Sequence, residues 1–332
     1  MTPELTRTLA ATTVDARVAL DIARAALGSS VDAVVDVRRL TGGASRETWS
    51  FDACTGGTCS ARLILQVERA GALNGGGTMA LEAAAQRAAR AAGVPVPEVL
   101  FEGDGEPLGR PFLLLERLAG ETIPRRVLRA PELEPARRRF VGQSGELLGR
   151  IHAIPRCDVP GIDASDPLDR YANTLRQLPA AYPALELALR WLDRHRPAPA
   201  VPAVLHGDFR LGNLLFGPAG IGGVLDWELC HVGDPAEDLA WLCLRAWRFG
   251  SDLPVGGLGH RADLYRAYED ATGLAVDPER VHWWEVFDNL KWAVICALQA
   301  QAHRDGHVRS VELLSLGRRV ASVERELLGL MR

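Results

Sequence analysis

Apolar residues recur at helical spacing over residues 14–27, and Gly28 stops the run. The pattern then changes to alternation. Residues 34–40, 46–53 and 61–67 read as three antiparallel strands in a meander, joined through Thr41-Gly42-Gly43-Ala44-Ser45 and Thr55-Gly56-Gly57. Residues 74–77 form a glycine-rich loop, and the alanine-rich stretch 79–92 predicts a helix ending at Gly93. Two more strands are expected at 99–102 and 112–116. Beyond Ala119-Gly120 helical spacing takes over, at 133–152, 184–195, 235–248, 261–272, 278–303 and 308–328. Short strands return only between 204 and 225.

This order predicts an α+β chain: a β-rich N-terminal lobe over 1–118, a hinge near 117–121 and a larger helical lobe over 119–332. At 332 residues the chain is long enough for a sizeable core, and its 47% apolar and 24% charged content is that of a globular protein. A net charge of −4 gives no reason to expect a nucleic acid or an anionic membrane as partner. No apolar run is long enough to span a bilayer, and the first residues lack the apolar stretch of a secretory leader. Six scattered cysteines make no paired zinc pattern; Cys54 and Cys59 flank a Gly-Gly turn where a disulfide could close, but a reduced, cytoplasmic chain is the expectation. Lys291 is the single lysine among 38 basic residues, so any lysine-dependent chemistry must use it.

The chemistry concentrates in Leu205-His206-Gly207-Asp208-Phe209-Arg210-Leu211-Gly212-Asn213-Leu214, followed by Asp226-Trp227-Glu228. Apolar pieces on each side anchor the loop and leave Asp208 and Asn213 at its mouth, and the strand-like 221–225 delivers Asp226 to the same edge. Two carboxylates and a carboxamide are hard oxygen donors of the kind magnesium takes when it also bridges phosphates. As a bland alternative the same residues would only cap strands; their joint spacing favours chemistry.

The segment resembles the H-x-D-x-x-x-x-N catalytic loop of the kinase superfamily, in the HGD form of the aminoglycoside phosphotransferase and choline kinase-like family. Gly233-Asp234-Pro235-Ala236-Glu237-Asp238-Leu239-Ala240 is similar to that family's G-D-P-x-x-D-L-A segment and is assigned to structure, with Asp234 capping the next helix. The whole pattern looks closest to the phosphotransferase domain of acyl-CoA dehydrogenase family members ten and eleven. The resemblance implies a protein-kinase-like two-lobed fold and an ATP- and Mg2+-dependent O-phosphotransferase. It assigns Asp208 as base, Asn213 and Asp226 as metal ligands, Arg210 as the cation facing the transferring phosphoryl group, and His206 as the brace of the catalytic loop.

In the N-terminal lobe the resemblance places Gly42, Gly43 and Ser45 on the nucleotide phosphates, and the backbone of Glu116 and Leu118 on the adenine. Gln66 falls where kinases carry a third-strand lysine; it donates hydrogen bonds but supplies no charge. Glu82 is the counterpart of the helix glutamate. The acceptor is a small molecule, of hydroxyacyl-CoA or another partly apolar type, with an antibiotic (aminoglycoside or macrolide) or a choline-like alcohol as alternatives. The aromatic-rich stretch 281–292 offers Trp284 and Lys291 as acceptor contacts, against the plainer reading of Trp284 as core. A nucleotide-binding pseudokinase, suggested by Gln66, is the alternative of another class; a metal hydrolase lacks the histidines it would need.

Overall fold

A computed structural model describes residues 14–40, 46–69, 77–307 and 310–332. The chain divides into two compact units, Met1–Ala72 with Val99–Arg117 and Leu73–Glu98 with Leu118–Arg332.

The first unit holds α1 (Ala16–Leu27) and strands β1 (Ala33–Leu40), β2 (Arg46–Thr55), β3 (Thr58–Glu68), β4 (Val99–Gly103) and β5 (Phe112–Glu116). The strands form one antiparallel sheet in the order β1-β2-β3-β5-β4. Asp15 caps α1, its carboxylate accepting the N–H groups of Arg17 and Val18. The helix lays Ala19, Ile22 and Ala23 on a core of Phe51, Leu63, Leu65, Val67, Phe112 and Leu114, the alternate residues of the central strands. Cys54 and Cys59 are opposite each other across the β2–β3 hairpin and are joined in a disulfide. The expected reduced chain is therefore corrected at this pair: the two-residue turn sets the cross-strand register that brings the sulfurs together. Cys157, Cys230, Cys243 and Cys296 are free thiols.

The second unit starts with α2 (Met79–Ala91), which the sequence places in 1–118, and continues with α3 (Pro124–Val127), α4 (Glu134–His152), α5 (Pro167–Gln177) and α6 (Pro183–Arg194). Two small hairpin-like sheets follow, pairing β6 (Ala203–Leu205) with β9 (His231–Gly233) and β7 (Leu214–Gly217) with β8 (Gly220–Val224). Helices α7 (Ala236–Cys243), α8 (Arg261–Thr272), α9 (Pro278–Arg304), α10 (Val311–Leu316) and α11 (Arg319–Leu330) complete it. Its core gathers Phe140, Leu148, Phe209, Leu214, Trp227, Phe287 and Leu290 among others. The eight residues of α7 are all buried, including Glu237 and Asp238.

Three expectations need correction. The helix expected over 235–248 ends at Cys243, because Leu244 turns to an extended conformation (φ −59°, ψ 142°) and a short 3-10 turn, Arg245–Trp247, follows. That break folds Trp247 back to 5.4 Å from Trp241. The helix expected over 308–328 is two helices among the described residues, interrupted at Gly317, whose Cα faces Ala300 closely enough that a Cβ would stand 2.9 Å from its methyl. Helix α5 was not anticipated; its start is marked by Asp166, which accepts the Leu168 N–H, and by Pro167 at the first position.

Gly145 of α4 sits against α8, where an added Cβ would lie 2.7 Å from both the Ala267 methyl and the Tyr268 nitrogen. Gly145→Val is expected to destabilise the protein by about 1–3 kcal/mol through overpacking, read as a lowered urea midpoint. An unchanged midpoint would mean that α4 and α8 do not pack this closely.

Candidate active site

The loop between β6 and β7 turns sharply at Gly207. Its φ of +76° favours glycine, and a Cβ there would meet the Leu229 carbonyl oxygen at 2.3 Å. Asp238, on α7, accepts the backbone N–H of His206 at 2.8 Å and of Gly207 at 2.9 Å. Lys291, on α9, donates to the Gly207 carbonyl at 2.9 Å and to Glu237 at 3.0 Å. The turn's polar backbone is thus satisfied by two buried ionic side chains.

These charges are themselves paired. His152 Nε2 donates to Asp238 at 3.2 Å, and its other ring nitrogen meets the Tyr268 hydroxyl at 2.8 Å. Burial works to raise the Asp238 carboxyl, yet its bonds to His152 and the nearby His206 outweigh burial and hold it below the usual carboxylate range. For Glu237 burial acts the same way, and His231 and Lys291 together hold it far below. Burial opposes the charge on Lys291, and Glu237 keeps its ammonium protonated well beyond the ordinary lysine range.

His206 is fully buried; its Nδ1 accepts the Asp208 N–H at 3.2 Å and its Nε2 therefore donates to the Leu225 carbonyl at 3.1 Å. Burial pushes its pKa down, which keeps the ring neutral in this bridging role. It ties the loop to the end of β8, one residue before Asp226.

Asp208 is 7% exposed. Its Oδ1 accepts from Arg210 Nε and from Trp241 Nε1, each at 2.8 Å, and its Oδ2 accepts from Asn213 Nδ2 at 2.6 Å. Asn213 also donates to the Asp208 carbonyl at 3.0 Å, and its own backbone carbonyl accepts the Leu225 N–H at 2.8 Å. Burial would lower the Arg210 pKa, but the Asp208 charge beside it raises it.

Asp226 is half-buried and has φ +67°, a left-handed conformation that aspartate tolerates better than most residues but that is still costly. Burial raises its pKa well above the ordinary value, and the charges of Glu228, Asp208 and Glu82 add to the rise, against Arg210. Its carboxylate has no hydrogen-bond partner among the described residues. Asn213 spends its amide N–H groups on Asp208, so its side-chain oxygen stays available. A half-buried carboxylate under like-charge pressure, with a carboxamide oxygen nearby, suits a divalent cation that takes two protein oxygens and completes its shell from phosphates and water. No group of three or more His, Cys, Asp or Glu residues able to hold a metal ion occurs among the described residues.

Of the residues expected from sequence, the structure brings together Asp208, Arg210, Asn213, Asp226 and His206, with Glu82 close enough to act on Asp226. Gly42, Gly43 and Ser45 lie outside the described residues. In the first unit, Gln66 pairs with Leu113 across β3–β5 and its side-chain oxygen is buried without a partner, while Glu116 pairs with Leu63 at the end of β5. Leu118, in the second unit, packs close to Gly223. Two acceptor assignments are corrected. Lys291 is 1% exposed, and its ammonium is engaged by Gly207, Glu237 and the Trp241 ring at 4.4 Å. Trp284 is 6% exposed and packs on Trp283 and Phe287 as core.

The sequence reading missed Asp238, Glu237 and Trp241 as parts of the site. The available signal was two adjacent carboxylates in the otherwise apolar Ala236-Glu237-Asp238-Leu239-Ala240-Trp241, since buried charges require partners. A cavity of about 230 Å³ in the second unit is lined by Arg170, Tyr171, Glu228, His231 and Lys291, among others.

The profile of the phosphotransferase enzyme family matches residues 36–284. Acyl-CoA dehydrogenase family member 10 of Mus musculus is 38% identical over 177 residues, a match that covers 49% of this chain and only 16% of the mouse protein. A provisionally assigned aminoglycoside phosphotransferase from Ralstonia eutropha has the same fold, with a TM-score of 0.72 at 20% identity, over 95% of this chain and 97% of that one. A thermostable mutant of aminoglycoside phosphotransferase APH(4)-Ia, solved as a ternary complex with AMP-PNP and hygromycin B, gives a TM-score of 0.63 at 18% identity, over 94% and 97% of the two chains. The α+β, protein-kinase-like two-lobed fold expected from the sequence is thereby borne out.

Asp238→Asn is expected to lower the unfolding free energy by about 3 kcal/mol near neutrality, the cost of breaking one side of a buried charged network. A depressed carboxyl pKa contributes stability above its unfolded value and loses it as pH falls through the folded one, so variant and parent should converge in acid. Urea unfolding at pH 7 and at about pH 3.5 checks this; a gap that widens in acid contradicts the assignment.

Proposed function

Since the chain belongs to the phosphotransferase enzyme family, we propose that it transfers the γ-phosphoryl group of ATP, with Mg2+, to a hydroxyl of a small molecule. The observation that carries this reading is the Asp208–Asn213 pair beside Asp226, held by a loop with no freedom at Gly207. Asp208 orients the acceptor hydroxyl and takes its proton. Asn213 and Asp226 would hold the cation, which would offset the negative charge of the phosphates. Arg210, released from Asp208 or shared with it, faces the charge on the transferring group. His206 does no proton chemistry in this scheme; it keeps Asp208 and Asp226 in register.

For the acceptor, the likeness to acyl-CoA dehydrogenase family member 10 supports a partly apolar hydroxyl compound of the hydroxyacyl-CoA kind. An aminoglycoside draws support only from a shared fold. A nucleotide-binding pseudokinase is favoured by one observation, the uncharged Gln66 on the third strand; the intact Asp208, Asn213 and Asp226 weigh against it.

Titration with a non-hydrolysable ATP analogue should show binding that needs Mg2+ and is lost in Asp226→Ala. Asp208→Asn should bind the analogue as the parent does, fold normally, and lose about 10²-fold or more in phosphoryl transfer. Binding without turnover in the parent would favour the pseudokinase. No binding by folded protein would remove the nucleotide reading altogether.

A further inference from the structure

The three donors on Asp208 divide unevenly between its oxygens. Oδ1 accepts both Arg210 Nε and Trp241 Nε1, whereas Oδ2 accepts Asn213 Nδ2 alone. Each carboxylate oxygen offers two lone-pair directions, so Oδ1 is filled and Oδ2 keeps one open.

Trp241 belongs to a cluster with Trp247 and Trp292, with ring centroids 4.8–6.5 Å apart. The indole N–H groups of Trp247 and Trp292 are buried with no hydrogen-bond partner. One N–H of the three is used, and it is used on Asp208. Trp247 contributes its face instead: the Arg210 guanidinium carbon lies 4.7 Å from its ring centroid. Simple core packing requires neither the single directed N–H nor a cation seated on the ring beside it.

We infer that Trp241 and Trp247 are positioning residues for phosphoryl transfer: Trp241 fills Oδ1 of Asp208 so that Oδ2 alone receives the acceptor's proton, and Trp247 seats Arg210. The inference rests on the function proposed above. In that step the acceptor O–H bond breaks and its proton goes to Oδ2. The acceptor oxygen–phosphorus bond forms as the bond from phosphorus to the departing ADP oxygen breaks. With the Trp241 direction of Oδ1 open and Arg210 alone on that oxygen, the carboxylate gains a second orientation in which Oδ2 no longer points at the acceptor.

The test uses the full chain, with ATP and Mg2+ as probe and water as the accepting hydroxyl, following phosphate release. Trp241→Phe keeps a ring and removes the N–H; it is expected to lose about tenfold or more in kcat, with the KM for ATP within about threefold. Trp247→Leu should fall similarly, and Trp247→Phe, which restores a ring face, should fall less than Trp247→Leu. Unchanged kcat in Trp241→Phe overturns the proposal, as does equal loss in the two Trp247 variants. A readout without turnover is indole hydrogen exchange in 15N-labelled protein: the Trp241 N–H should exchange faster in Asp208→Ala while those of Trp247 and Trp292 change little. If the parent hydrolyses no ATP, the phosphotransferase function fails separately. Trp241 exchange that ignores Asp208→Ala then overturns the contact itself.

Discussion

One buried carboxylate fixes the loop on which the candidate chemistry depends. Asp238 accepts two successive backbone N–H groups, from His206 and Gly207, and so dictates the direction in which the chain enters Asp208. Lys291 takes the opposite side of the same peptide segment through the Gly207 carbonyl. An ion in this position is costly to bury alone, and the cost is met by His152 for Asp238 and by Glu237 for Lys291. The arrangement resembles a clamp whose jaws come from α7 and α9, elements distant in sequence from the loop they grip. A hydrophobic substitute would fill the space but would leave the turn's N–H groups without acceptors.

The charges on the open side of that loop follow the opposite rule. Behind the loop Asp238, Glu237 and Lys291 each have a partner within the protein; at its mouth the charges of Glu228, Asp208 and Glu82 act on Asp226, against Arg210. Burial first, and then those like charges, raise the Asp226 pKa. A divalent cation held there, as proposed above, would relieve that repulsion. The left-handed backbone of Asp226 is a second local cost carried by the same residue.

Much of this was legible in the sequence, and for identifiable reasons. The alternation of β2 and β3, the short apolar run of β5 and the long apolar periodicity of α4 and α9 are local signals, and they gave the right elements. The spacing of His206, Asp208, Asn213 and Asp226 announced their convergence because a single short loop and one hairpin connect them. What stayed hidden depended on long-range geometry. Lys291 looked like a free cation available to an acceptor because nothing near it in sequence shows that α9 carries it under the loop to Glu237. Trp284 was offered to the acceptor when periodicity along an all-round buried helix cannot tell core from cleft. The end of α7 at Cys243 was invisible for a related reason: nothing local breaks the helix, and the break is accompanied by tilted ring contacts of Trp247 with Trp241 and Trp292.

The position of Lys291 also determines how the protein meets its surroundings. As the chain's single lysine, it is enclosed and hydrogen-bonded on two sides. The exterior of the folded protein therefore carries its positive charge entirely on arginine side chains, apart from histidine and the terminus. Guanidinium groups do not acylate under conditions that modify amines, and they hold their charge at any pH a protein tolerates. Amine-directed crosslinkers, lysine-specific proteases and enzymes that acetylate or ubiquitinate lysine find no side-chain target on the native molecule. Any of them that does reach Lys291 is reporting that the loop has already let go.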